Sequence, residues 1–341
     1  MDHRQLHAET LVIDAHHDSI VGHIRRGNLS LVTGTSSSDE TFWGVVAFTR
    51  GKHPDLGKRP PQINIPKMRQ GGIDAAFFAV DCTAARHNHL AYALDGLGFL
   101  LNDLTASAAD VVIVKRSEDI RQAKRDGKPA ALLAVENADC TEKSLSVLRC
   151  LHEVGVRSIG LTHHVSSCAA DGCKEPRDGV GLTQFGVRLV REMNRLGMLV
   201  DLAHISPSGF YHALEVSTKP VAFSHGNARA LCDHPRNLTD DQLRALAQHG
   251  GFIGVSYVPA FVHPERPTLE RLIAHIDHIV GVAGIDSVAL GSDFDGGGDV
   301  LGDATEVPQI TEELGKRGYA EADIRKILGG NTLRVLQQTI G

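Results

Sequence analysis

Five residues of metal-ligating type stand where short apolar runs end: His16 and Asp18 in VIDAHHDS, Glu136 closing LLAVE, His204 closing MLVDLAH and His225 closing VAFSH. Imidazole beside carboxylate suits a borderline cation such as zinc. A carboxylate directly after four apolar residues is costly to bury unless it is paired or bound to metal. One such histidine alone is more often a hydrogen-bonded core residue, but strand ends of one polarity converge on a single rim, so four of them together point to a shared site. Five ligands are too many for one tetrahedral zinc and fit two. His16 and Asp18 would hold one ion, His204 and His225 the other, with Glu136 bridging and a hydroxide completing the pair. Bound metal lowers the pKa of water from ~15.7 toward ~7, which supplies a nucleophile without a serine or cysteine. Hydrolysis is the expected chemistry.

Other residues at the same rim could serve that reaction. Asp293, in LGSDFDG, ends the last apolar run and is placed to take a proton from attacking water and return it to a leaving amine. Asp295, two residues on, is the structural alternative. His163, in GLTHH, could donate a hydrogen bond to a developing oxyanion, and its neighbour His164 should face away if the strand continues. Arg236, in CDHPRN, is suited to holding a carboxylate bidentately, against the alternative of a solvated surface arginine. His16 and Asp18, two apart on a strand end, should face one way and His17 the other.

The elements that must position these residues are eight near-continuous apolar runs: 11–14, 75–80, 131–135, 158–162, 199–203, 221–224, 252–255 and 288–291. Such runs suit parallel strands covered on their outer face. Helical patterns lie between them, at 144–153, 182–196 and 269–282. Regular alternation favours a closed (β/α)8 TIM-type barrel over an open doubly wound sheet, and no glycine-rich phosphate loop follows the first strand. One barrel domain over 1–341 is the expected organisation. A long excursion spans 19–72, and the tail should form two closing helices split at Gly329 and Gly330. The excursion holds Trp43, the chain's single tryptophan. It reads as a substrate cover or as an oligomer contact, the latter implying a homodimer, with surface decoration the bland alternative.

A net charge of −6 without a long run of one sign argues against nucleic acid as a partner. The N-terminus lacks the regions of a signal peptide, and no stretch approaches the ~20 apolar residues of a membrane span, so a cytoplasmic protein without a membrane partner is expected. Six scattered cysteines read as reduced thiols; Cys168 and Cys173 alone have a spacing that could carry a further metal or a disulfide.

These motifs together resemble the renal, or membrane, dipeptidase family of binuclear zinc peptidases over nearly the whole chain. DAHHDS is similar to the family's DGHND, LTHH to its LTH, DLAH and FSH to its two zinc-histidine segments, HPRN to its carboxylate-binding stretch, and GSDFDG to its GxDFDG. The resemblance implies an amidohydrolase-type barrel with two zinc ions that hydrolyses dipeptides and tolerates a D-residue on the C-terminal side. By motif it makes His16, Asp18, Glu136, His204 and His225 zinc ligands, and His163, Arg236 and Asp293 substrate and catalytic residues. The chain departs at His17, where the family has Asn, at VENADC in place of VEGG, at VSSCAADGC, which lacks a tryptophan, and at Tyr257–Val258. It resembles the soluble bacterial branch. The competing reading is a metal-containing barrel acting on a non-peptide amide, ester or lactone, or binding without turnover. Retention of Asp293 favours the enzyme, since a binder has no need of a proton shuttle.

Overall fold

The computed structural model describes residues 2–35, 59–85, 87–106, 111–174 and 180–341; Trp43 and the middle of the long excursion lie outside them. Among the described residues nine strands form one parallel sheet: β1 (Ile13–His17), β2 (Ala75–Asp81), β3 (Val112–Ile113), β4 (Ala130–Glu136), β5 (Val156–Gly160), β6 (Leu199–Asp201), β7 (Ala222–Gly226), β8 (Phe252–Val255) and β9 (Val288–Leu290). Pairing of β2 with β4 and of β1 with β9 closes eight of them into a barrel. The ninth, β3, is absent from the sequence reading. Its two residues pair with Ala130 and Ala131, next to the place where β5 takes over at Leu133.

Side chains alternate along the strands. Ala75, Phe77 and Ala79 of β2 and Ala130, Leu132 and Ala134 of β4 pack with Ile13, Leu199, Ala222, Phe252 and Ala289 inside the barrel. Their neighbours Ala76, Phe78, Val80, Leu133 and Val135 pack outward on the helices. This parity carries Asp81 and Glu136, which face each other in register, inward at the mouth. Parity alone would turn His16 toward the helices, out of step with inward Ile13 and Ala15. The pairing of β1 with β2 slips between Asp14 and His17, where three steps of one strand match two of the other. The extra residue lets both Ala15 and His16 face inward. His17 then packs the edge of its ring on outward-facing Phe78, 4.4 Å between centroids, opposite to His16 as expected. A second slip, between Phe223 and Gly226 of β7, has the same consequence for Ser224 and His225.

The connecting helices start where their sequences provide caps. Ser144, Thr183, Ser206, Thr239 and Thr268 each accept a hydrogen bond from a backbone N–H of the following first turn. The helices Leu145–Val154, Gln184–Leu196 and Leu269–Ala283 lie within two residues of the periodic patterns. The C-terminal expectation needs correction. Helix Glu321–Arg325 runs through a π-helical turn, Lys326–Gly330, into helix Asn331–Thr339 without a break. Gly329 is required for close approach, since a Cβ there would strike the carbonyl oxygen of Leu11. Leu333 and Leu336 of the last helix, and Ile340 just past its end, join the barrel's inner cluster. No helix among the described residues is long and apolar enough to cross a membrane.

Candidate metal centre

The eight predicted site residues converge at the carboxyl ends of the strands. His16 comes from β1 and Asp18 from the residue that opens helix Ser19–Arg25; Glu136 ends β4, His163 follows β5, His204 follows β6, His225 lies in β7, Arg236 lies in the loop after β7 and Asp293 follows β9. His204 Nε2 lies 2.8 Å from both Glu136 Oε1 and His225 Nε2, and Glu136 Oε1 is 3.6 Å from His225 Nε2. His16 stacks on His225 with ring centroids 3.8 Å apart, and its Nε2 is 3.8 Å from Asp18 Oδ2. Asp293 Oδ2 approaches His225 Nε2 at 4.0 Å. His204 and Asp293 hold left-handed backbone, φ 70° and 61°, a conformation that non-glycine residues keep only where surrounding structure enforces it. Asp293 is held by its own carbonyl, which accepts from Gly296, Gly297 and Gly298. Gly296 has no room for a Cβ beside the carboxylates of Asp18 and Asp293.

Electrostatics show what this cluster lacks. Burial raises the pKa of Glu136 well above the carboxylate range, and nearby Asp18, Asp81 and Asp293 push it further, against the opposing charge of His16. Burial raises Asp293 to about 6, offset in part by His16 and Arg236. Burial alone would lower His16, yet Glu136, Asp18 and Asp293 together bring it up to about 10. His204 and His225 go the other way, driven well down by burial and by Arg236 and neighbouring imidazoles, so both rings keep a lone pair. The carboxylates therefore call for positive charge, and two neutral imidazoles face the same point.

A divalent cation meets both demands. Among the described residues, His16 Nε2, Asp18 Oδ1, Glu136 Oε1 and His204 Nδ1 are buried without a hydrogen bond of good geometry, whereas buried polar atoms normally have one. Donor atoms of His16, Glu136 and His225 lie within 4.8 Å of one another, as do those of His16, Asp18 and Asp293. These residues fit metal of the kind that takes nitrogen and oxygen ligands.

One residue at the mouth, Asp81, is absent from the sequence expectations, and another, His164, is oriented differently from them. Asp81 closes AAFFAVD, the same signature as LLAVE, and groups with Glu136 and His163 as a ligand set; the apolar run of 75–80 stops one residue short of it. Contrary to expectation, His164 does not face away. β5 stops at Gly160, and the turn that follows leaves His164 Nδ1 3.1 Å from His163 Nδ1 and its ring 4.6 Å from that of His204. Burial and the adjacent His163 depress its pKa to about 3. The departure at VENADC has a conformational reason, since Asn137 takes φ 82° and accepts from Asp139 N, a backbone that asparagine tolerates. Cys168 and Cys173 are free thiols, and no cysteine joins a metal-type group among the described residues.

Arg236 is only 1% exposed, which removes the solvated-surface alternative. Its Nη2 donates to the carbonyl of His225 at 2.9 Å, and the guanidinium lies over the rings of Phe223 and Phe261. Among the described residues, Nε and Nη1 are buried without partners. The neighbouring cavity, about 280 Å³, is lined by Asp18, Asp81, Glu136, Asp293, the histidines 163, 164, 204 and 225, and an apolar wall of Val21, Val258 and Phe261.

A family model described as membrane dipeptidase, peptidase family M19, matches residues 1–340. Dipeptidase tcpJ of Claviceps purpurea is 33% identical over 292 residues, 81% of this chain and 69% of that protein. Dipeptidase verJ of Clonostachys rogersoniana is 37% identical over 229 residues, 66% of this chain and 59% of that protein. Among solved structures, a metallo peptidase from Rhodobacter sphaeroides, liganded with a phosphinate mimic of the dipeptide L-Ala-D-Ala, superposes with a TM-score of 0.82. It is 26% identical, and the match covers 97% of this chain and 100% of that one.

Asp295 is a tie between loops. Its Oδ1 is 3.0 Å from Arg26 Nη2 and accepts from Gln62 N at 3.1 Å, and its own N–H donates to Gln62 Oε1 at 2.8 Å. Both members of the ion pair are buried, so removing one strands the other's charge, at about 3–5 kcal/mol. Asp295→Ala should therefore lower the unfolding free energy read from urea titration by that much while metal content is unchanged. Unchanged stability with lost metal would instead make Asp295 a ligand.

Proposed function

The chain belongs to the membrane dipeptidase family, and from that premise we propose that it is a zinc-dependent dipeptidase. In this reading His16, Asp18, Glu136, His204 and His225 hold two zinc ions, with Glu136 shared between them. The observation that carries it is the convergence of these five residues: among the described residues His16 Nε2, Asp18 Oδ1, Glu136 Oε1 and His204 Nδ1 are buried without a hydrogen bond of good geometry, and His225 stands between His16 and His204. When bound, the ions would polarise a substrate carbonyl and make a nucleophile of water at neutral pH.

The protein's own groups do the rest. Asp293 accepts the proton of the attacking water and delivers it to the leaving amine. His163 donates to the oxygen that gains charge as the carbonyl carbon is attacked. Arg236 offers Nε–H and Nη1–H to the C-terminal carboxylate, and its burial keeps that contact strong. The cavity is near the small end of the ~300–1,000 Å³ typical of ligand sites, which suits a dipeptide better than a longer chain. Tolerance of a D-residue at the C-terminal position is part of the proposal, supported by the L-Ala-D-Ala mimic bound to the Rhodobacter sphaeroides relative.

Zinc-loaded protein should hydrolyse L-Ala-L-Ala and L-Ala-D-Ala and leave the corresponding tripeptides intact. Asp293→Asn should keep its metal but lose about 10²-fold or more in kcat, the range that general acid–base catalysis supplies. Loss of metal in that variant would make Asp293 a ligand, and no hydrolysis of any dipeptide by the wild type would refute the proposal.

Arg236 gives an independent test of specificity. Amidating the C-terminus of a good dipeptide should lower kcat/KM about 10- to 100-fold in the wild type, in line with the ~1.5–3 kcal/mol of a hydrogen bond to a charged group. In Arg236→Lys the same amidation should matter far less, with metal content unchanged. Equal hydrolysis of free and amidated dipeptides by the wild type would remove this role.

A further inference from the structure

One carboxylate near the centre touches no ligand directly. Asp201, at the end of β6, accepts from two backbone groups at Oδ1, Ala203 N at 3.0 Å and Ser224 N at 2.9 Å, and from Ser224 Oγ at Oδ2, 2.5 Å. Ser224 Oγ lies 2.9 Å from His225 Nδ1. All three residues are buried. A carboxylate has no proton to give, so the serine hydroxyl hydrogen is committed to Asp201, and at 2.5 Å this is a short charge-assisted bond. The serine oxygen can then only accept from the ring, and Nδ1 must carry the proton. We infer that Asp201 and Ser224 form a relay that fixes His225 in the Nδ1–H tautomer, presenting an unprotonated Nε2 to Glu136 and His204. The inference rests on the reading of His225 as a metal ligand only for its consequence, not for the tautomer itself. Asp201 and Ser224 are positioning residues, and the strand slip in β7 that turns both Ser224 and His225 toward the mouth is what makes the relay geometrically available.

The geometry makes a directional prediction for an isosteric change. In Asp201→Asn, two backbone N–H groups already point at the Oδ1 position, so the amide oxygen must stay there and the NH2 group takes the place of Oδ2. That NH2 donates to Ser224 Oγ. The hydroxyl hydrogen then turns to His225, Nδ1 becomes the acceptor, and the ring proton moves to Nε2. The relay is inverted with packing unchanged, and the lone pair faces away from the site. Ser224→Ala instead releases the ring, which can still adopt the binding tautomer. A merely structural role predicts the opposite ranking, since Asp201→Asn preserves shape and Ser224→Ala removes an atom.

Histidine-labelled, metal-free protein read by long-range proton–nitrogen correlation, with His225 assigned from His225→Gln, reports the tautomer. Zinc affinity is read in parallel by competition with a chromophoric chelator. The wild type should show Nδ1–H, Asp201→Asn should show Nε2–H with zinc held about 10- to 100-fold more weakly, and Ser224→Ala should show mixed tautomers with a smaller loss. An Nε2–H wild type, an Asp201→Asn affinity equal to wild type, or a larger loss in Ser224→Ala would overturn the relay. If Asp201→Asn does not fold, Ser224→Ala decides alone, and a single Nδ1–H tautomer there would overturn it. A wild type with Nδ1–H that binds no zinc would leave the relay standing and remove the metal reading instead.

Discussion

The crowding of buried carboxylates against imidazoles at the barrel mouth is the constraint from which the rest of this structure follows. Burial raises the pKa values of Glu136 and Asp293, and the neighbouring carboxylate of Asp18 pushes both further. His16 is drawn up to about 10 by the same field, so a proton on that ring stands where positive charge is needed. Such a cluster would be unfavourable in a core built for stability alone. It becomes coherent as a seat for cations, to which the neutral rings of His204 and His225 offer nitrogen lone pairs.

The scaffold meets this constraint by departing from regular strand geometry where the site requires it. A slip in β1 brings His16 inward, another in β7 brings Ser224 and His225 in together, and left-handed backbone aims His204 and Asp293. Close packing fixes the neighbouring strands: at Gly254 and Gly291 a Cβ would collide with the carbonyl oxygen of Ser224. A second layer ties strand to strand behind the ligands. Asp14 accepts from Ser292 N and Oγ at 2.8 and 2.5 Å, much as Asp201 does from Ser224. Precision at the mouth thus depends on residues that never reach the cavity.

Much of this was legible in the chain because the signals are local. An apolar run ending in His, Glu or Asp marks a buried strand that surfaces at a polar rim, and that pattern located His16, Glu136, His204, His225 and Asp293 as well as the closed barrel. Asp81 carries the same mark one residue beyond the apolar run 75–80. What stayed hidden depends on pairing between distant segments. The slip in β1 is a property of its register with β2, and the partnership of Asp201 with Ser224 exists only once β6 and β7 are side by side. Arg236 illustrates the same limit. Nothing near HPRN distinguishes a surface guanidinium from one enclosed by Phe223 and Phe261.

Zinc titration of the metal-free protein, followed by X-ray absorption at the zinc edge, tests the central claim most directly. The account predicts two ions per chain with nitrogen and oxygen ligands alone, and loss of both ions on replacing Glu136, which they share. A single ion supporting full hydrolysis, or sulfur in the coordination shell, would contradict it.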